Sequence, residues 1–138
     1  MRYTTIDDEA PTLRLTTLRT LVRHAPPLAV VPLSTPLSDL ADVLLDHRVW
    51  IVVVDTDGML AGVLSSDNAM RALKCDPDGW VTDHMARSSI LLSAESDIEE
   101  AWAAVIHEDA DHVLVASAHG DLLGVIQTSL LATYREAA

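Results

Sequence analysis

The sequence holds one cysteine, Cys75, and nine lysines and arginines against 21 aspartates and glutamates. A single thiol excludes an intrachain disulfide. A formal charge of -12 argues against a nucleic-acid surface or an anionic membrane partner, both of which require clustered lysine and arginine. No apolar run approaches the ~20 residues of a membrane span. The opening MRYTTIDDEAP has neither the basic flank nor the apolar core of a signal peptide, so the expected compartment is a reducing cytoplasm.

Catalytic and metal motifs are also missing. His107, Glu108, Asp109, Asp111 and His112 crowd together in sequence, but the second histidine stands five places after the first, not at the His-Glu-x-x-His spacing of a zinc protease. A solvated helix end explains that cluster. Asp55-Thr56-Asp57-Gly58 has no further ligands or distal glutamate to make a calcium loop, and reads as a turn. Cys75 has no CxxC partner and acidic neighbours, which disfavour a thiolate. With no nucleophile elbow and no phosphate loop, the sequence gives no positive reason to expect an enzyme, a catalytic residue or a resident metal.

What is present is a duplication. In Ile51–Lys74, IVVVDTDGMLAGVLSSDNAMRALK, a β-branched run meets the turn-forming Asp57-Gly58, an apolar strand returns, and Ser65–Asn68 supply cap residues for a helix. VLVASAHGDLLGVIQTSLLATY repeats this order 62 positions later, with Val53, Gly58, Leu60, Gly62 and Val63 recurring as Val115, Gly120, Leu122, Gly124 and Val125. A repeat of this period is one supersecondary unit duplicated and packed on itself. At 138 residues and 49% hydrophobic content, the chain suits one compact domain or two halves sharing a core.

In chain order, residues 1–11 read as a flexible arm. Leu13, Leu18, Leu21 and Val22 form one face of a short helix ending before Pro26-Pro27. Leu28–Leu33 is a strand whose Pro32 marks an edge or an end. Thr35 as N-cap and Pro36 at the first helical position open a helix with a stripe of Leu37, Leu40, Ala41, Val43 and Leu44. Its counterpart has a capping box of Ser96 and Glu99, with Ile98, Ala101, Trp102, Val105 and Ile106 on the buried face. Cys75–Gly79 connects the halves, and Trp80–Met85 leads into the strand Ile90–Leu92. The expected organisation is an arm at 1–11, a first repeat at 12–74, a connector at 75–79 and a second repeat at 80–138. Each repeat runs strand, helix, strand, strand, helix, which makes the class α/β or α+β.

With VTDHM opening the second half, and G-V-L-S and G-V-I-Q closing the two hairpins, residues 18–134 resemble a pair of cystathionine-β-synthase (CBS) domains, or Bateman module. The resemblance implies two βαββα repeats associated through their sheets with pseudo-two-fold symmetry. It also implies a homodimer and an adenine nucleotide in a cleft between repeats. The family's ligand motif is glycine, two apolar residues, Thr or Ser, two variable residues and Asp. Gly62, Val63, Leu64 and Ser65 match it, but Asn68 stands where Asp is expected and Asp67 lies one place early. A hydroxyl at a helix N-terminus reaches phosphate or ribose, and a carboxylate accepts both ribose hydroxyls. Asn68 keeps one acceptor and adds a donor.

The implied walls are Leu28, Ala29, Val30, Val49 and Trp50, an apolar slot suited to an adenine ring; ordinary core packing explains the same residues. Ser65 and Asn68 are equally good caps without a ligand. The matching second site, with Ile90, Leu91, His112, Gln127 and Thr128, is degenerate, because Leu130 at the position of the family's Asp cannot hydrogen-bond a sugar. Arg23, His24, Arg71, Lys74, His84 and Arg87 are the cations available to a phosphate, which favours AMP, adenosine or an adenosyl compound over ATP. The expected function is a non-enzymatic regulatory sensor of an adenosine-containing ligand, with no required cofactor, acting on a partner protein or on its own dimer. The rival is a constitutive dimerisation module that binds no nucleotide.

Overall fold

The computed structural model describes residues 16–46 and 48–137. The expected arm at residues 1–11, and Leu13, lie outside them. The chain forms two compact units: one continuous from Pro26 to Ser89, the other joining the described residues up to Ala25 to those from Ile90 onward.

In the continuous unit, β1 (Leu28–Pro32) pairs in parallel with β2 (Trp50–Val54), and β2 pairs antiparallel with β3 (Leu60–Ser65). Between β1 and β2 a 3-10 turn, Leu37–Leu40, runs into α2 (Ala41–Asp46), which follows α1 (Leu18–Val22) in the chain. The helix α3 (Ser66–Cys75) follows β3 directly. Val53 and Gly62 sit beside a bulge. At the hairpin tip, Asp55 Oδ1 accepts from the N–H groups of Asp57 and Met59, and Gly58 takes φ +78°. A glycine is favoured there because L side chains resist positive φ. Pro32 ends β1, which is an edge strand, where a missing N–H costs least.

The other unit repeats the plan. It begins with α1 (Leu18–Val22) and continues with β4 (Ile90–Ser93), α4 (Ile98–Glu108), β5 (His112–Ala116), β6 (Leu122–Gln127) and α5 (Thr128–Ala137). β4 and β5 are parallel, β5 and β6 antiparallel, and the bulge recurs between Val115 and Ala116. Gly120 takes φ +88°, with Ser117 Oγ accepting from His119 and Asp121 as Asp55 does in the first hairpin. The mixed α/β class and the repeated three-stranded sheets are as expected.

The helix starts differ from the sequence reading. Pro36, not Thr35, is the N-cap of the first turn, and it makes no side-chain cap bond. Thr35 is buried, and its carbonyl accepts from Val81 N. Asp97, not Ser96, caps α4, accepting from Glu100 N at 2.8 Å, while Ser96 O accepts from Leu18 N. In both places a carbonyl near the helix start is used by a segment distant in sequence, and the helix starts just beyond it. Leu37, Leu40 and Leu44 are buried as expected, but Ala41 is exposed. Ile98, Ala101 and Val105 are buried, whereas Ile106 is 62% exposed, because the next residue on a helix is turned about 100° from its neighbour.

Each unit has one hydrophobic core. The continuous unit packs Leu37, Leu40, Ile51, Val53, Leu64 and Ala69 with Val81 and Met85. The other packs Leu18 and Leu21 with Ile98, Val105, Val113, Ile126 and Leu131. The compact units therefore do not follow the sequence boundaries 12–74 and 80–138. The segment before each β1-type strand packs with the repeat that does not follow it.

Candidate functional site

The site is built on the entry end of the first sheet. Strand register places Leu28 opposite Trp50, and Trp50 opposite Ser65, so the three form one row across the sheet. Register-paired residues share a face. Val30, Val52 and Val63 form the next row on that face. The opposite face carries Ala29, Ile51 and Leu64, which pack on the helices. Trp50 and Val52 are buried, whereas Val30, on the edge strand, is 64% exposed.

Ser65 ends the row and caps α3. Its Oγ accepts from Asn68 N at 3.1 Å, and Ser66 N donates to Val49 O at 3.0 Å, which ties the helix start to the beginning of β2. Asn68 Oδ1 accepts from Arg71 Nη1 at 2.7 Å. Asp67 is exposed on the same first turn. Hydroxyl, amide and guanidinium thus stand in succession beside the positive end of a helix, where an anionic oxygen is stabilised. Arg71 meets no carboxylate among the described residues; Arg19 and Arg135 are paired with Glu95 and Glu99.

The structure brings together Leu28, Trp50, Ser65 and Asn68, with Val30 one row along and Asp67 beside them. It separates Ala29 and Val49 from that group: Val49 lies in the hydrophobic core, and Ala29 packs against it. Alternation along a strand makes the split unavoidable, since adjacent residues point to opposite faces. Arg71 was expected only as one of six cations available to a phosphate, and the structure sets it against Asn68. Its three-residue spacing from Asn68 along α3 was the available signal.

The second row is chemically different. His112 occupies the place of Trp50, is buried, lies opposite Gln127, and contacts Asp111 Oδ1 through Nδ1 at 2.6 Å. Thr128 donates its hydroxyl to Ala110 O and its N–H to Asp111 O. Leu130, where Asn68 stands in the first repeat, packs against the second hydrophobic core. Ile90 and Leu91 hold the positions of Ala29 and Val30, and Leu91 is likewise exposed.

Of the other cations, His84 contacts Asp76 at 3.2 Å, Arg87 donates to Thr82 O, and the His24 ring lies against Tyr134. Among the described residues no three His, Cys, Asp or Glu side chains converge in a metal-binding group. His107 contacts Glu108 at 3.8 Å, while His112 is turned to Asp111. No helix among them is long and apolar enough to cross a membrane.

Two parallel-antiparallel sheets, each entered by a short segment and closed by a helix, define a CBS-type fold. Residues 19–75 match the CBS domain family, and the chain folds as a CBS-domain pair. A CBS-domain structure from a membrane protein of Sphaerobacter thermophilus matches at TM-score 0.70 and 15% identity, covering 91% of each chain. CBSX2, solved in complex with AMP, matches at TM-score 0.61 and 19% identity, over 88% of this chain and 97% of that one. The cytosolic domain of the Mg2+ channel MgtE, solved in complex with ATP, matches at TM-score 0.57 and 22% identity, over 77% of this chain and 44% of that one. Comparison with curated proteins gives no match.

Proposed function

We propose that this chain is a non-enzymatic regulatory module that senses an adenosine-containing ligand, with AMP as the representative, at the Leu28–Trp50–Ser65 row of the first repeat. The observation that carries the reading is the Ser65, Asn68 and Arg71 series at the start of α3, beside the half-exposed apolar edge of β1. The likeness in fold to proteins solved with AMP and with ATP supports the ligand class. Leu28 and Val30 offer an apolar surface to a base, Ser65 a hydroxyl to the sugar or phosphate, and Arg71 a charge to one phosphate. Binding would favour one arrangement of the chain, or of a cytoplasmic homodimer, and so alter a protein partner. The second row is not a nucleotide site in this reading, since Leu130 offers no acceptor and Thr128 is engaged internally.

The rival reading, a constitutive interaction module, is favoured by one observation: Ser65 Oγ and Asn68 Oδ1 already have partners within the helix. A thermal-shift panel of adenosine, AMP, ADP, ATP and S-adenosylmethionine separates the two. At 100 times its dissociation constant a ligand adds about 2.7 kcal/mol of stability. AMP is expected to raise the melting temperature, and Arg71→Gln to reduce that rise. The Ser65→Ala, Asn68→Ala double variant is expected to abolish it while remaining folded. No shift with any ligand at millimolar concentration leaves the interaction module.

A further inference from the structure

The polar groups at the start of α3 are committed in one direction. Ser65 Oγ accepts from Asn68 N at 3.1 Å, and Asn68 Oδ1 accepts from Arg71 Nη1 at 2.7 Å. Each oxygen thus spends acceptor capacity inside the helix. What remains for a ligand is chiefly donors: the Ser65 O–H, the Asn68 Nδ2 hydrogens and the outer N–H groups of Arg71. Such a set, beside the positive end of a ten-residue helix, suits phosphate oxygens. It suits the two hydroxyls of a ribose poorly, because a diol offers two hydrogens and is held by free lone pairs, as a carboxylate has. Asp67 is the acidic residue of this first turn. It is exposed, takes no part in these bonds and lies about 100° around α3 from Asn68.

We infer that the first-repeat site is blind to the sugar: it takes adenine nucleoside monophosphates by base and phosphate, whether the sugar is ribose or a deoxyribose. This rests on the nucleotide reading proposed above and adds which part of the nucleotide is read. Leu28 and Val30 take the base, Ser65, Asn68 and Arg71 take the phosphate, and the sugar spans the two without a partner of its own. The size of the effect follows from what a missing hydroxyl leaves behind. Where a buried acceptor is aimed at a hydroxyl, the deoxy compound leaves that acceptor unpaired and discrimination is large. Where the acceptors are accessible oxygens already bonded, water takes the hydroxyl's place and little is lost. Ser65 is half-buried and Asn68 exposed, which puts this site in the second case.

The test is isothermal titration calorimetry of the full chain with AMP, 2′-deoxy-AMP, 3′-deoxy-AMP and adenosine. The three monophosphates are expected to bind within about threefold of one another, and adenosine roughly tenfold more weakly. Asn68→Asp introduces a carboxylate at the third position of α3, where negative charge suits the helix start. That variant is expected to favour AMP over both deoxy compounds by about tenfold, read as a ratio so that any uniform weakening by the added charge cancels. Asp67→Asn is expected to leave the ratio of the unmutated chain unchanged. A deoxy compound binding about tenfold more weakly than AMP to the unmutated chain would overturn the inference while the nucleotide reading stands. So would an Asn68→Asp variant that binds all three monophosphates alike. If none of the four compounds binds, the nucleotide reading falls and this inference with it.

Discussion

Gly62 has no room for a side chain. A Cβ there would lie 2.6 Å from Met85 Sδ and 2.9 Å from Ala86 O, and the second of these is backbone held by its pairing with Val63. At Gly124 the nearest atoms all belong to the Val22 side chain, Cγ1 closest at 3.1 Å, a contact that a small adjustment relieves. Gly62→Ala is expected to destabilise the protein by about 1–3 kcal/mol in urea unfolding, and Gly124→Ala by clearly less. Equal costs would mean that Ala86 moves freely. The two glycines were visible in the sequence as a recurring pair. Their role was not, because the residues that cover them, Met85 and Val22, each come from the other sequence repeat.

Among the elements, α3 is the one whose start was legible. Ser65 was expected to cap it and does, and its hydroxyl is the group a ligand would meet. Ser65→Ala is expected to cost about 0.5–2 kcal/mol without ligand, read by thermal or urea unfolding. A neutral effect would show that the cap bond contributes little. The hairpins were legible too, since Asp57-Gly58 and His119-Gly120 carry turn chemistry within a few residues. The starts of the 3-10 turn before α2 and of α4 were each misplaced by one residue, and a local cause could not have shown it: the carbonyls of Thr35 and Ser96 are claimed by Val81 and Leu18. Which face of β1 and β2 meets the helices was likewise hidden in two apolar runs without polar alternation. That is why Ala29 and Val49, grouped with the site in sequence, lie on the core side.

For the whole molecule, charge governs which ligand suits the site. A chain of formal charge -12 repels polyanions at long range, and Arg71 is the cation set beside Asn68. AMP is therefore expected to stabilise the protein more than ATP in the ligand panel, with the gap narrowing as salt screens the repulsion. The duplication was readable because each copy keeps its turn chemistry, while the packing of each entry segment on the other copy leaves no periodic trace. Whether an adenosine ligand binds the first row and not the second is read most directly by an amide-resolved NMR titration with AMP. Saturable shifts are expected at Leu28, Val30, Trp50 and Ser65–Asn68, with Gln127 and Thr128 still. Shifts centred on His112 and Thr128, or none at millimolar AMP, would contradict binding at the first row.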